Sequence, residues 1–323
     1  MRAVIYERQG PAHEVLRAVD IPRPDPGPGE VRVRISLSGI NPTDWKSRSG
    51  ATPRAIGEFQ IPHHDGAGVI DAVGPGVDQG RVGQRVWLWM AAAGRPWGTA
   101  AEWSVVPAYA AVPLPDGASM ELGACLGVPA LTAHRCLYAD GDVDGRTVLV
   151  TGGAGAVGHF AIELAKHGGA RVVTTVSGAE KAELAGAAGA DLVVNYREPD
   201  ALERIRGFAE WVDRVVEVNI AANLAQDLAL AGPGTVVAAY AIDQPDPVLP
   251  VRACMAANVT LRFVLLYGVP AADLLRGVED VSRALAAGAL TALPIRRFPL
   301  EECAAAQEAV REGAVGKVVL EIG

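Results

Sequence analysis

The chain has 323 residues, half of them hydrophobic and 20% charged, which excludes a disordered segment and suits about two domains rather than one small core. Lys and Arg number 29 against 37 Asp and Glu, a net charge of −8 with no basic block, so nucleic acid is a poor partner. The four cysteines (Cys125, Cys136, Cys254 and Cys303) form no CxxC pair, which argues against a disulfide framework and a structural zinc lobe.

Glu7 and Arg8 interrupt the first residues before an apolar core forms, so they do not read as a signal peptide. No apolar run of about 18 residues follows, and the expected compartment is the cytoplasm. Residues 2–6 read as a strand. Residues 22–30 are a proline-rich loop. Residues 30–40 alternate strictly, with Val31, Val33, Ile35 and Leu37 on one side and Arg32, Arg34, Ser36 and Ser38 on the other, the period of a half-buried strand. Further short strands are predicted at 68–74, 84–89 and 101–106. Together they suggest a compact all-β module such as a partly open barrel.

Near residue 120 the pattern changes. Strands are predicted at 147–153, 171–176, 191–196, 213–219, 234–241 and 258–268. Helices run from Val157 to a Gly168-Gly169 stop, over 179–189, over 200–210 with Asp200 as its cap, and near 221–231. This alternation predicts a doubly wound parallel sheet. Two helices, about 271–287 and 300–312, and a strand at 316–322 close the chain.

Gly153-Ala154-Gly155-Ala156-Val157-Gly158 is a GxGxxG placed between a strand and a helix, the context that makes the pattern specific for a dinucleotide. Its glycines permit a tight turn, close approach of a pyrophosphate and packing of the helix, whose N-terminus favours phosphate. The next strand ends at Ser177-Gly178 with no carboxylate for a ribose 2′-hydroxyl. Lys181 lies one helical turn later, and Tyr196 and Arg197 stand at the adjacent strand end. The missing acid with nearby cations favours NADP(H), although Lys181 also fits an ordinary solvated lysine.

The chain resembles the medium-chain dehydrogenase/reductase superfamily, and within it the zinc-free quinone oxidoreductase branch that includes zeta-crystallin. The residues that carry the likeness run in order: Gly39-Ile40-Asn41-Pro42-Thr43-Asp44, Asp65-Gly66-Ala67-Gly68-Val69-Ile70 with Val73-Gly74, Gly83-Gln84-Arg85-Val86, Ala100-Ala101-Glu102-Trp103, Leu131-Thr132-Ala133-His134, the glycines from Gly152 to Gly158, and Gly316-Lys317-Val318. The resemblance implies a GroES-like, partly open β-barrel catalytic domain from both chain ends (1–120 and 269–323). A doubly wound parallel Rossmann domain (121–268) is inserted, with a nucleotide cleft between the two. It further implies a homodimer paired along the last Rossmann strand, 258–268.

Zinc enzymes of this superfamily use Cys, His and Cys around a catalytic metal. Asn41 stands at the first position, Val128 near the last, and only His64 matches, which is too few ligands. No metal is therefore expected. Hydride transfer to a quinone or an activated alkene needs positioning and a donor near the charged oxygen rather than a nucleophile. The resemblance places Asn41 and Thr132 by the nicotinamide, with Asn219, Tyr240 and Ala241 along its ribose and ring and Lys317 reaching the cofactor from the catalytic domain. Lys46 replaces a tyrosine common in the branch, a form similar to relatives that reduce enones or enoyl thioesters; it fits either an enolate donor or a surface partner of Asp44. Trp45 and His64 are candidate walls of the substrate pocket, though a surface or hydrogen-bonded His63-His64 pair is at least as good a reading. The expected function is NADPH-dependent reduction of quinones or related conjugated carbonyls. The alternatives are an enoyl or alkenal reductase and a crystallin-like NADPH-binding protein with little turnover.

Overall fold

A computed structural model describes the chain apart from residues 54, 243 and 244. In chain order the elements are β1 (Arg2–Ile5), α1 (Ala12–Val15), β2 (Arg17–Asp20), β3 (Glu30–Gly39), α2 (Pro42–Ser49), β4 (Asp65–Val73), β5 (Arg85–Leu88), β6 (Trp103–Pro107), β7 (Ala111–Pro113) and α3 (Met120–Tyr138). The α/β alternation follows: β8 (Thr147–Thr151), α4 (Ala156–His167), β9 (Arg171–Val176), α5 (Ala179–Ala187), β10 (Leu192–Asn195), α6 (Ala201–Phe208), β11 (Val212–Glu217), α7 (Ile220–Leu230), β12 (Ala231–Ala239), α8 (Val251–Ala256), β13 (Thr260–Phe263) and α9 (Ala271–Ala286). The chain closes with β14 (Ile295–Pro299), α10 (Cys303–Arg311) and β15 (Lys317–Glu321).

Two compact units form: Met1–Val128 with Ala292–Gly323, and Pro129–Thr291. The first is the GroES-like unit. Its sheet runs β14-β15-β3-β4-β5-β7, with β6 also on β3. Strand β3 is central because its alternating face is buried and it pairs with β4, β6 and β15. The core of this unit joins residues from both chain ends, among them Val4, Ile40, Ile61, Ala306, Val318 and Leu320.

The second unit is a Rossmann-type parallel sheet in the order β10-β9-β8-β11-β12-β13. Leu149, Val173, Val194, Val215 and Val237 line one face, where Ile205 and Leu230 cover them. The apolar runs of these strands reflect burial on both faces.

Four expectations are corrected. The upper domain limit is 291, not 268, because α9 is tied to α3: His134 Nε2 lies 2.7 Å from Asp280 Oδ2, and Arg135 Nη1 donates to Asp273 at 2.9 Å. The lower limit is 128, not 120, and falls inside α3. The strand expected over 258–268 is only β13, because its neighbour β12 ends at Ala239, whose carbonyl accepts the Val264 N–H and exhausts the ladder. Asp200 stands at the cap of α6, but its side chain caps nothing.

Candidate active site

On the Rossmann unit, β8 runs through the Gly152–Gly158 turn into α4. The glycines are not equivalent. A Cβ on Gly158 would sit 2.3 Å from the Gly152 carbonyl oxygen and 2.8 Å from Gly153 Cα, so this position must be glycine for α4 to approach the turn. A Cβ on Gly155, the N-cap of α4, would meet only the Gly152 oxygen, at 3.3 Å, and otherwise open space. That open ground lies over the free amides of the first helical turn, as a pyrophosphate requires.

At the end of β9, Ser177 is half-buried and is followed by Gly178 rather than a carboxylate; the first acid after it, Glu180, is exposed in the first turn of α5. Lys181 is half-buried in the first turn of α5, while Tyr196 and Arg197 are exposed, the guanidinium 5.9 Å from the Tyr196 ring centre. At the end of β11 the Asn219 Oδ1 is buried with no hydrogen-bond partner among the described residues, a polar atom left for a ligand. Tyr240 and Ala241 follow β12 directly, and burial pushes the Tyr240 phenol well above its ordinary range. These residues fit a dinucleotide. Thr132 is buried on α3 within this unit.

The turn after β11 has support that the sequence reading missed. Glu217 Oε1 accepts the Asn219 N–H and, at 2.9 Å, Asn223 Nδ2. Asp227 of α7 faces the same carboxyl. Burial raises both groups above the usual carboxylate range, and the repulsion of Glu217 helps take Asp227 to about 9. Asp227 therefore keeps its proton at neutral pH. Two acids ten residues apart on a strand and a helix carry no motif that would have marked them.

In the GroES-like unit, Asn41 caps α2, and the Asp44 carboxylate accepts its backbone N–H at 2.7 Å. The Asn41 side chain is held on both sides. Lys317 Nζ donates to Oδ1 at 2.5 Å, and Nδ2 donates to Asp65 Oδ2 at 2.6 Å. The other Asp65 oxygen accepts the Val128 N–H at 2.8 Å. Burial raises the Asp65 carboxyl to about 6 against the opposing pull of Lys317. Lys317 is thus engaged by Asn41 and Asp65, and Asp65, quoted above only as part of a motif, belongs to the site's frame.

His63 is buried and accounts for half of the histidine pair. Its Nδ1 lies 2.9 Å from Ser38 Oγ, and its Nε2 lies 3.2 Å from Gln307 Nε2. Burial lowers it to about 3, so the ring is neutral. His64 is buried beside it, Trp45 is half-buried, and the Lys46 ammonium lies 5.7 Å from the Trp45 ring centre. Among the described residues, no group of three His, Cys, Asp or Glu side chains is arranged to hold a metal ion. Nor is any helix among them long and apolar enough to cross a membrane.

Residues 27–116 match the alcohol dehydrogenase GroES-like domain, and 156–283 match the zinc-binding dehydrogenase family. A quinone oxidoreductase from Lama guanicoe is 30% identical over 99% of this chain and 97% of its own. A solved NAD-dependent alcohol dehydrogenase is 29% identical with a TM-score of 0.89, covering 100% of both chains. A mycobacterial protein complexed with NADPH is 32% identical with a TM-score of 0.85, covering 99% of each. With its GroES-like barrel, its Rossmann sheet and these relatives along its length, the chain belongs to the medium-chain dehydrogenase/reductase superfamily, in the quinone oxidoreductase branch.

Proposed function

We propose that this oxidoreductase uses NADPH to reduce quinones or related conjugated carbonyls without a metal. The observation that carries the cofactor assignment is the end of β9, where Ser177 and Gly178 stand in place of an acid and Lys181 is one turn away. A carboxylate there would repel a 2′-phosphate, and none is present. The NADPH-bound mycobacterial relative supports this reading. The NAD-dependent relative makes the comparison of NADPH with NADH the direct control.

When bound, the reduced nicotinamide supplies a hydride. The substrate accepts it at its conjugated carbon, the π electrons move onto the carbonyl oxygen, and a proton from water completes the product. The protein's part is to hold the acceptor in place and stabilise the charged oxygen. Asn41, buried and fixed, is the donor assigned to that oxygen. Thr132, Asn219, Tyr240 and Ala241 are assigned to the nicotinamide side. Trp45 and His64 are assigned to the substrate pocket. The metal-free reading is supported by the Lys317 ammonium, 3.9 Å from Asp65 Oδ2, because a second cation at this cluster would be repelled.

Lys46 favours a second reading, reduction of an enal or enoyl thioester. Its ammonium makes no hydrogen bond among the described residues and is free to meet an enolate oxygen. Steady-state NADPH oxidation with an ortho-quinone, a para-quinone, an enal and an enoyl thioester separates the readings. Turnover of a quinone with NADPH at least tenfold above that with NADH is expected. If no acceptor is reduced, the enzymatic reading fails and a low-turnover binding protein remains. Lys46→Ala should slow alkene reduction more than quinone reduction; equal effects would leave only the first reading.

The protein is further assigned to the cytoplasm as a homodimer, paired through the edge strand β13. Support for the dimer lies in the exposure of Phe263 (73%), Leu265 (70%) and Met255 (71%) around that edge.

A further inference from the structure

We propose that Lys317 and Asp65 are positioning residues that fix the Asn41 carboxamide and, through the Lys317 ammonium, strengthen its remaining N–H as a donor to the substrate's carbonyl oxygen. The proposal rests on the reductase reading above and specifies how its donor is built.

The chemistry of the three groups allows one arrangement. A lysine ammonium only donates, and an ionised carboxylate only accepts. With Lys317 at 2.5 Å on one side and Asp65 at 2.6 Å on the other, the amide must present its oxygen to Lys317 and its nitrogen to Asp65. A flipped amide would leave two buried hydrogen bonds unmade and set its own donors against the ammonium. The exposures of Asn41, Asp65 and Lys317 are 3%, 0% and 2%, so water does not compete for any of these bonds.

The frame around the amide is equally fixed. Thr99 Oγ1 donates to the Asp65 carbonyl at 2.6 Å, and the Lys317 N–H donates to the Pro294 carbonyl at 2.8 Å. The Ile40 N–H donates to the Val318 carbonyl at 3.1 Å, which ties the residue before Asn41 to the one after Lys317.

One Nδ2 hydrogen is used on Asp65. The other meets no acceptor among the described residues. A cation on the amide oxygen draws electron density from the nitrogen, so this hydrogen becomes a stronger donor through the chained bonds. Negative charge gathers on the substrate oxygen as the hydride arrives, and a prepoised donor acts on that charge rather than on the ground state. The effect therefore belongs in kcat.

Lys317→Met and Lys317→Arg should be compared with the parent for NADPH Kd by fluorescence, for kcat and KM with 9,10-phenanthrenequinone and trans-2-hexenal, and for melting temperature. The Met variant is expected to lose about 10- to 100-fold in kcat, less than the roughly 100- to 1,000-fold for deleting an oxyanion donor outright. Its NADPH Kd should stay within about twofold, and the Arg variant should recover most of the loss. A readout without turnover is the Asn41 side-chain amide in ¹⁵N-asparagine-labelled protein, identified by its absence in Asn41→Ser. It is expected downfield in the parent and shifted upfield in Lys317→Met. Asp65→Asn should shift the same signal.

An unmoved Asn41 signal, or a Met variant with parental kcat, overturns the proposal. So does a Kd that rises in proportion to the activity loss, which would make Lys317 a direct cofactor ligand. If the parent reduces neither acceptor, the reductase reading fails, and the amide signals alone decide whether Lys317 and Asp65 orient Asn41.

Discussion

At the residue scale, the molecule keeps several ionisable groups away from water, and their protonation states follow from burial. Asp227 carries the clearest consequence. Its carboxyl rises from the usual range near 3.8 to about 9, mainly by desolvation and then by the facing Glu217. The folded state holds this proton where the unfolded chain has lost it, so stability falls as pH rises from about 4 to 9. In Asp227→Asn the amide donates to Glu217 without a titrating proton. The variant is expected to melt higher than the parent at pH 8, by about 2–4 °C for each kcal/mol recovered, with the gap closing toward pH 4. Parallel melting curves across that range would show that Asp227 carries no such penalty. His63 slopes the other way. Its folded value near 3 means that the unfolded chain takes up the proton first, so stability is lost as pH falls below about 6.5.

At the scale of elements, the turn from β8 to α4 separates packing from binding. Gly158→Ala drives a methyl into the Gly152 carbonyl at 2.3 Å, whereas Gly155→Ala meets that oxygen only at 3.3 Å and otherwise fills open ground. The first is expected to lower the melting temperature by several degrees through overpacking, typically about 1–3 kcal/mol. The second should leave the melting temperature nearly unchanged and raise the NADPH Kd about tenfold or more. Thermal shift and a fluorescence titration on both variants check this. If Gly155→Ala binds NADPH as the parent does, the open ground is not the pyrophosphate site.

The same scale shows what a linear reading could see. The apolar face of β3 and the strand–glycine–helix passage at 147–167 were legible because apolar spacing reports burial directly. Arg32 and Ser38, expected on the open face of β3, are buried as well, held by Asp25 and Asp71 and by His63 and Thr99. Helix α2 was not. Its buried residues include Asp44 and Arg48, whose partners are the Asn41 N–H, the Gly10 carbonyl, Gln307 and Glu308, so it has no apolar stripe. The run 258–268 misled because its ladder with β12 stops at Phe263, beyond which Val264 and Leu266 are buried by packing outside any strand while Leu265 stays exposed. In the site, Asn41 and the glycines stood in recognisable spacing. Asp65 took its meaning only from partners at 41, 128 and 317, and the Glu217–Asp227 pair only from the packing of α7 on β11.

At the scale of the whole molecule, the edge of the parallel sheet bears on association. Phe263, Leu265 and Met255 surround the free edge of β13, a surface that a lone copy would leave in water. Phe263→Asp is expected to convert a dimer to a monomer in sedimentation. A parent that sediments as a monomer at micromolar concentration would remove β13 as the pairing edge.

The bond between Lys317 and Asn41 joins residues 276 positions apart. At about 5–20 residues per second, roughly 14–55 s of synthesis separate them. Through that interval the growing chain carries Asn41 and Asp65 without their cation, while the whole parallel sheet is made and can fold. The GroES-like unit thus waits for the last part of the chain to close over its own polar centre. A ribosome-stalled chain ending before residue 317 should hold a protected Rossmann sheet beside a protease-sensitive first unit.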